Sequence, residues 1–114
     1  GYSLGGLVGG WSSSSVTNVI NYSYSSGDTI GSGWTYGLVR TSTLGEVTNS
    51  FWLQDAGLGI NTSVDSGEGT AVDDAALKDS STFSAWDFVD NITDGTNDYW
   101  KMDSGEYPTL FWQE

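Results

Sequence analysis

The sequence predicts an all-β chain, a β-solenoid (β-helix) of stacked coils with a short helix in a C-terminal cap, and three observations carry that expectation. Gly6-Leu7-Val8 returns as Gly37-Leu38-Val39, and Val16-Thr17-Asn18 returns as Val47-Thr48-Asn49, both at one ungapped offset of 31 residues. A fixed period in this range marks stacked repeat units, each burying its apolar face against its neighbours. Both copies also alternate with period 2: Val16, Asn18, Ile20 and Tyr22 share one face of a strand, and Val47, Asn49, Phe51 and Leu53 share the equivalent face. Finally, sixteen glycines, a single proline and abundant Ser and Thr favour closely spaced turns over helices.

Taken in order, residues 1–60 form the repeat region, with short strands expected near Leu7-Val8, Val16–Tyr24, Gly37–Val39 and Val47–Leu53. Stacking the two copies at their offset puts Asn18 over Asn49, where side-chain amides can hydrogen-bond as a ladder. The alternative is that both asparagines mark recurring turns. Residues 61–73 are a polar loop. Asp74-Ala75-Ala76-Leu77-Lys78-Asp79 then reads as a short helix, with Asp73 or Asp74 placed to cap its N-terminus. After it come Phe83, Trp86, Phe88, Tyr99, Trp100, Tyr107, Leu110, Phe111 and Trp112, an aromatic density too high for a disordered tail. A coil stack ends in an open sheet edge and an apolar cross-section, so residues 74–114 are expected to cover it, with Trp86, Phe88, Trp100 and Leu110 as structural anchors. The length suits one structural domain. The chain opens inside a repeat, as a piece of something longer would.

The segment Gly6-Leu7-Val8-Gly9 with Val16-Thr17-Asn18 resembles the GLUG-type repeat of large bacterial and archaeal extracellular surface proteins. Leu77 through Phe88, then Tyr99-Trp100-Lys101-Met102 and Gly105 through Leu110, resemble the segment that follows the last such repeat, with its Trp-Asp-Phe, Trp and Pro-x-Leu landmarks. The resemblance implies a β-helical solenoid, secretion or cell-surface location, and a role in adhesion or surface architecture. Arg40-Thr41 stand where the first copy has Gly9-Gly10, a departure at the repeat's tight turn.

Charge excludes several partners. Fifteen acidic residues oppose only Arg40, Lys78 and Lys101, for a net charge of −12, so nothing could neutralise the phosphates of nucleic acid. No apolar run approaches the roughly 18 residues needed to span a membrane. Expected partners are therefore a protein or glycan surface, or a second copy of the chain added at an open strand edge to build a filament. The acids are unevenly spread: Asp28 is the only one before Glu46. Cysteine is absent, which fits a secreted bacterial or archaeal protein without disulfides.

An enzyme is not expected. Without His or Cys, Ser-His-Asp and Cys-His arrangements and the usual zinc sites are excluded. Carboxylate pairs occur readily by chance among fifteen acids. Asp90, Asp94 and Asp98 place oxygens around Gly95 and are weak calcium candidates, but Ile92 and Lys101 break the EF-hand pattern, and a solvated polar loop explains them as well. The competing class is a carbohydrate-binding or carbohydrate-processing module, with Trp100, Tyr107 and Trp112 as a sugar-stacking platform. Asn21, Asn61 and Asn91 each begin an Asn-x-Ser/Thr triplet, relevant only in a glycosylating host.

Overall fold

A computed structural model describes residues 3–7, 18–40, 45–64, 67–89 and 97–112. The chain divides into two units, Gly1–Asp73 and Asp74–Glu114. Among the described residues the first holds seven strands: β1 (Ser3–Gly5), β2 (Asn18–Asn21), β3 (Tyr24–Ser25), β4 (Trp34–Tyr36), β5 (Gly45–Thr48), β6 (Phe51–Leu53) and β7 (Thr70–Val72). All pair in parallel, as β1-β4, β2-β5 and β3-β6-β7.

The two longest expected strands are each cut by a bend. Tyr22 and Asn49 take φ of 50° and 48°, left-handed backbone that asparagine tolerates and a bulky ring resists. A serine follows each bend and ties it down: Ser23 Oγ donates to the Asn21 carbonyl at 3.0 Å, and Ser50 Oγ to the Thr48 carbonyl at 2.8 Å. The bends also hold each other, since the Ser23 N–H donates to Ser50 Oγ and the Phe51 N–H to the Ser23 carbonyl at 3.0 Å. Alternation survives within a strand, with Val19 60% exposed beside buried Ile20, but cannot run through a left-handed residue.

The expected β-solenoid is corrected by these sheets. A solenoid needs one pairing offset repeated coil after coil, and here the offset changes: Ser3 faces Trp34 at 31, Tyr24 faces Phe51 at 27, and Phe51 faces Thr70 at 19. The strands are two to four residues long and lie in small separate sheets, none closed or continued into a solenoid among the described residues. The change of offset also removes the asparagine ladder. Asn18 pairs with Gly45 rather than Asn49, while Asn49 sits at its bend and donates from Nδ2 to Asn21 Oδ1 at 3.2 Å. Asn49 is thus a turn residue, as the alternative reading had both asparagines, whereas Asn18 lies in β2. The expected strands at Leu7-Val8 and Gly37–Val39 fall just after β1 and β4 instead; Val8 lies outside the described residues.

Leu38 and Val39 nevertheless centre the core of this unit. They pack with Ile20 and Trp52, and Val47 and Val64 close over the cluster. Trp52 lies so flat on Gly37 that any added Cβ would overlap its ring. Glycine is a packing requirement here; at Gly6, its counterpart in the first copy, an added Cβ would instead strike the Gly37 carbonyl and Ser25.

The second unit opens with α1 (Asp74–Leu77), then a 3-10 turn (Ser80–Phe83) capped by Asp79, whose carboxylate accepts from the Ser81 N–H at 2.9 Å and from its hydroxyl. The two strands β8 (Trp100–Lys101) and β9 (Thr109–Leu110) pair antiparallel, Trp100 opposite Leu110. Its interior is aromatic. Trp86 and Phe83 are 1% exposed with ring centroids 4.6 Å apart, Phe88 stacks beside them, and Trp100 meets Trp86 at 4.3 Å. Leu77 and Pro108 are fully buried in the same unit.

Candidate functional site

Two surfaces have the chemistry of a site, one in each unit. The second unit presents a set of exposed aromatics at the end of its hairpin. The Phe111 N–H donates to the Tyr99 carbonyl at 3.0 Å, continuing the β8-β9 pairing, and Phe111 and Trp112 meet edge to face at 5.3 Å. Tyr99, Phe111 and Trp112 are about half exposed or more, at 50%, 48% and 60%. This differs from the platform expected from sequence. Of its three rings, Trp100 packs on Trp86, and Tyr107 donates its hydroxyl to the Asp74 carboxylate beneath the Lys78 ammonium. Only Trp112 faces solvent, in edge-to-face contact with Phe111.

The Asp74 cluster is a small electrostatic unit in its own right. Lys78 Nζ lies 3.0 Å from Asp74 Oδ2, one helical turn on. The Tyr107 hydroxyl, and then Lys78, hold the Asp74 carboxyl below its ordinary value. The Ser81 N–H and hydroxyl do the same for Asp79. Both carboxylates organise the start of the unit.

The remaining residues singled out from sequence divide similarly. Trp86 and Phe88 are core, Trp100 and Leu110 are half-buried across from each other, and Asn49 is an exposed bend. Asp90 and Asp94 lie outside the described residues. Asp98 has its N–H bonded to Asp87 Oδ1 at 3.0 Å, and Asp87 Oδ2 accepts from the Asn97 N–H at 2.9 Å, so Asp87 fastens the backbone of Asn97 and Asp98. Among the described residues no three acidic side chains converge as a metal ligand set, and no helix is long and apolar enough to cross a membrane.

The first unit holds a polar cleft of about 300 Å³, lined chiefly by residues 28–35 and 59–64. Its floor is Asn61, only 2% exposed and left-handed at φ 51°. Every polar group of this residue is used. Its N–H donates to Asp28 Oδ1 at 2.8 Å, its Oδ1 accepts from the Thr29 N–H at 2.6 Å, and its Nδ2 donates to the carbonyls of Gly27 and Leu53. Its own carbonyl accepts from Gln54 Nε2 at 3.1 Å. Asn61 follows directly on a tight turn closed by paired hydrogen bonds between Asp55 and Ile60, which delivers it into the interior. Sequence reasoning placed Asn61 only as a possible glycan acceptor. The available signal was the pair of Asx-Thr steps, Asp28-Thr29 and Asn61-Thr62, which come together here.

Around that floor, Asp28, Thr62, Ser63 and Ile30 are exposed, while Thr29 and Val64 are half-buried. Elsewhere in the unit Trp34 is 60% exposed, with the Arg40 guanidinium 6.0 Å from its ring centre. No family model, no curated protein and no solved structure matches this chain.

Proposed function

We propose that the chain is a non-catalytic structural and adhesive module of a secreted or cell-surface protein, kin to the GLUG-repeat surface proteins it resembles in sequence. The observation that carries this reading is the exposure of large aromatic rings on a strongly acidic surface: Trp34, Tyr99, Phe111 and Trp112. Tyr and Trp supply wide, rigid contact area at little cost in side-chain entropy, which is why they dominate recognition surfaces. The residue types left after excluding His and Cys support binding better than bond-breaking chemistry.

The test is retention of the chain on surfaces coated with protein or polysaccharide, alongside sedimentation velocity to detect self-association. Retention or association that drops when Trp34 and Trp112 are replaced by Ala, with the melting temperature unchanged, supports the reading. A monomer retained on neither surface sinks it. Carbohydrate binding is a second reading, favoured by the Tyr99, Phe111 and Trp112 group, whose flat apolar faces suit pyranose rings.

A further inference from the structure

We propose that the outward aromatic face of the β8-β9 hairpin docks a basic, extended peptide segment of a partner protein, an inference that rests on the adhesive reading above and names the chemistry of the surface adhered to. The pairing of the hairpin fixes which rings face out. Trp100 lies opposite Leu110 and turns inward onto Trp86 at 4.3 Å. Side chains alternate along a strand, and residues opposite each other share a face. The next pair, joined by the Phe111 N–H donating to the Tyr99 carbonyl, therefore projects the other way. Tyr99 and Phe111 are 50% and 48% exposed, and Trp112, 60% exposed, meets Phe111 edge to face. Rings grouped in this way differ from singly scattered apolar residues, which need no partner.

Charge selects the occupant. Asp74–Glu114 carries nine acidic residues against Lys78 and Lys101, which leaves it at −7. On the hairpin itself Asp98 precedes Tyr99, and Asp103 and Glu106 are exposed at the turn that the Glu106 N–H closes on the Asp103 carbonyl. Among the described residues none of these three carboxylates is paired with a cation. Lys101 is the single cation of the hairpin, outnumbered by them. A second copy of the chain brings −12, and nucleic acid, anionic lipid or acidic polysaccharide brings charge of the same sign, so all are repelled. A neutral glycan gains nothing from the carboxylates. A basic peptide uses both features: its cations are drawn by the carboxylates and by the electron-rich ring faces, and the aliphatic stems of Lys and Arg cover the apolar rings. The chain makes this contact twice within itself, with Arg40 6.0 Å from the Trp34 ring centre and Lys78 5.3 Å from that of Tyr107.

The experiment is a nitrogen-15 NMR titration of the full chain with octapeptides of alternating Arg-Ser, Gln-Ser and Glu-Ser, and with a neutral glucan oligomer. The Arg-Ser peptide is expected to give saturable shifts at the amides of Tyr99, Lys101, Phe111 and Trp112, with affinity falling about tenfold as salt rises from about 50 to 300 mM. The other ligands should give none. Trp112→Ala should weaken the Arg-Ser peptide about fivefold, the loss of one cation–π partner, without lowering the melting temperature, because the ring is exposed. Asp103→Asn combined with Glu106→Gln, both at exposed positions, should weaken it several-fold and stands in should the alanine variant fold poorly. The proposal is overturned if the Arg-Ser peptide gives no saturable shifts on the hairpin, if the Gln-Ser peptide binds equally well, or if both variants bind as the parent does. Shifts there with the glucan and not with the Arg-Ser peptide would overturn it in favour of a sugar. Failure of the peptide while the chain is still retained on protein-coated surfaces strikes this face alone, whereas loss of retention as well removes the adhesive reading with it.

Discussion

The two units solve the same problem, a small core in a chain rich in polar residues, by opposite means. Gly1–Asp73 is held by directional bonds: short parallel strand pairs, two serine-tied bends and one buried asparagine that fastens three backbone segments. Among its described residues Asp74–Glu114 has only two two-residue strands, and its interior is built on four aromatic rings, Phe83, Trp86, Phe88 and Trp100. The difference shows that an aromatic cluster can substitute for regular hydrogen bonding where the chain is too short to build a sheet, since each ring buries a large area on few backbone positions. It also places vulnerability differently. One unit should fail through apolar truncation and the other through loss of a polar hub.

The sharpest way to break the comparison is Trp86→Ala, which empties the centre of the aromatic cluster. A loss of about 3–5 kcal/mol is expected, read as collapse of amide protection in residues 77–89 and 97–110 during hydrogen exchange. Equal loss of protection across both units would mean that they unfold as one. Next comes Asn61→Ala, which strands the Thr29 N–H and the carbonyls of Gly27 and Leu53; about 2–4 kcal/mol should disappear from urea unfolding of the first unit, two or three unsatisfied groups at roughly 1–3 kcal/mol each before relaxation. Gly37→Ala, pressing a methyl into the Trp52 ring, should cost about 1–3 kcal/mol as overpacking, visible as a red shift and broadening of tryptophan fluorescence. A melting temperature equal to the parent's would show that the ring moves aside freely.

The smallest effect sharpens the comparison through pH. The Asp74 carboxyl has a folded-state value depressed below its ordinary 3.8 by Tyr107 and Lys78. Its contribution is therefore fully present above that ordinary value and is lost as pH falls below it toward the folded value. Thermal unfolding followed from pH 6 to pH 2 should show a decline that Tyr107→Phe makes shallower, confined to signals of the second unit. An identical pH profile in the variant would dismiss the hydroxyl as the cause.

Much of the local structure was legible in the sequence and most of its assembly was not. Helix propensity located Asp74–Leu77, and alternation put Ile20 inside and Val19 outside. The burial of Trp86 and Phe88 followed from their size and apolarity. The solenoid expectation failed because matching triplets fix similar local conformations, not a constant loop length between them. Strand pairing shifts from an offset of 31 to one of 27 between β1-β4 and β2-β5, keeps 27 through the left-handed bends at Tyr22 and Asn49, and falls to 19 at β7. A tyrosine with positive φ gives no sequence signal at all. The cleft was equally hidden, since its floor joins Asp28 to Asn61 across 33 positions, a tertiary contact that no short motif records. Of the sugar platform, the sequence could supply the rings but not their partners, and two of the three are committed to Trp86 and Asp74.

The buried amide of Asn61 also constrains how the protein can be made. Asn61-Thr62-Ser63 is an acceptor triplet for N-linked glycosylation, yet in the folded chain both amide hydrogens are bonded to carbonyls and the residue is almost fully enclosed. A glycan could be joined there only before folding, and a chain so modified could never close its first unit. Secretion through a eukaryotic pathway thus sets a race between folding and the transferase, and the material recovered would divide into two populations, one folded and unmodified at that site, the other glycosylated and unable to fold.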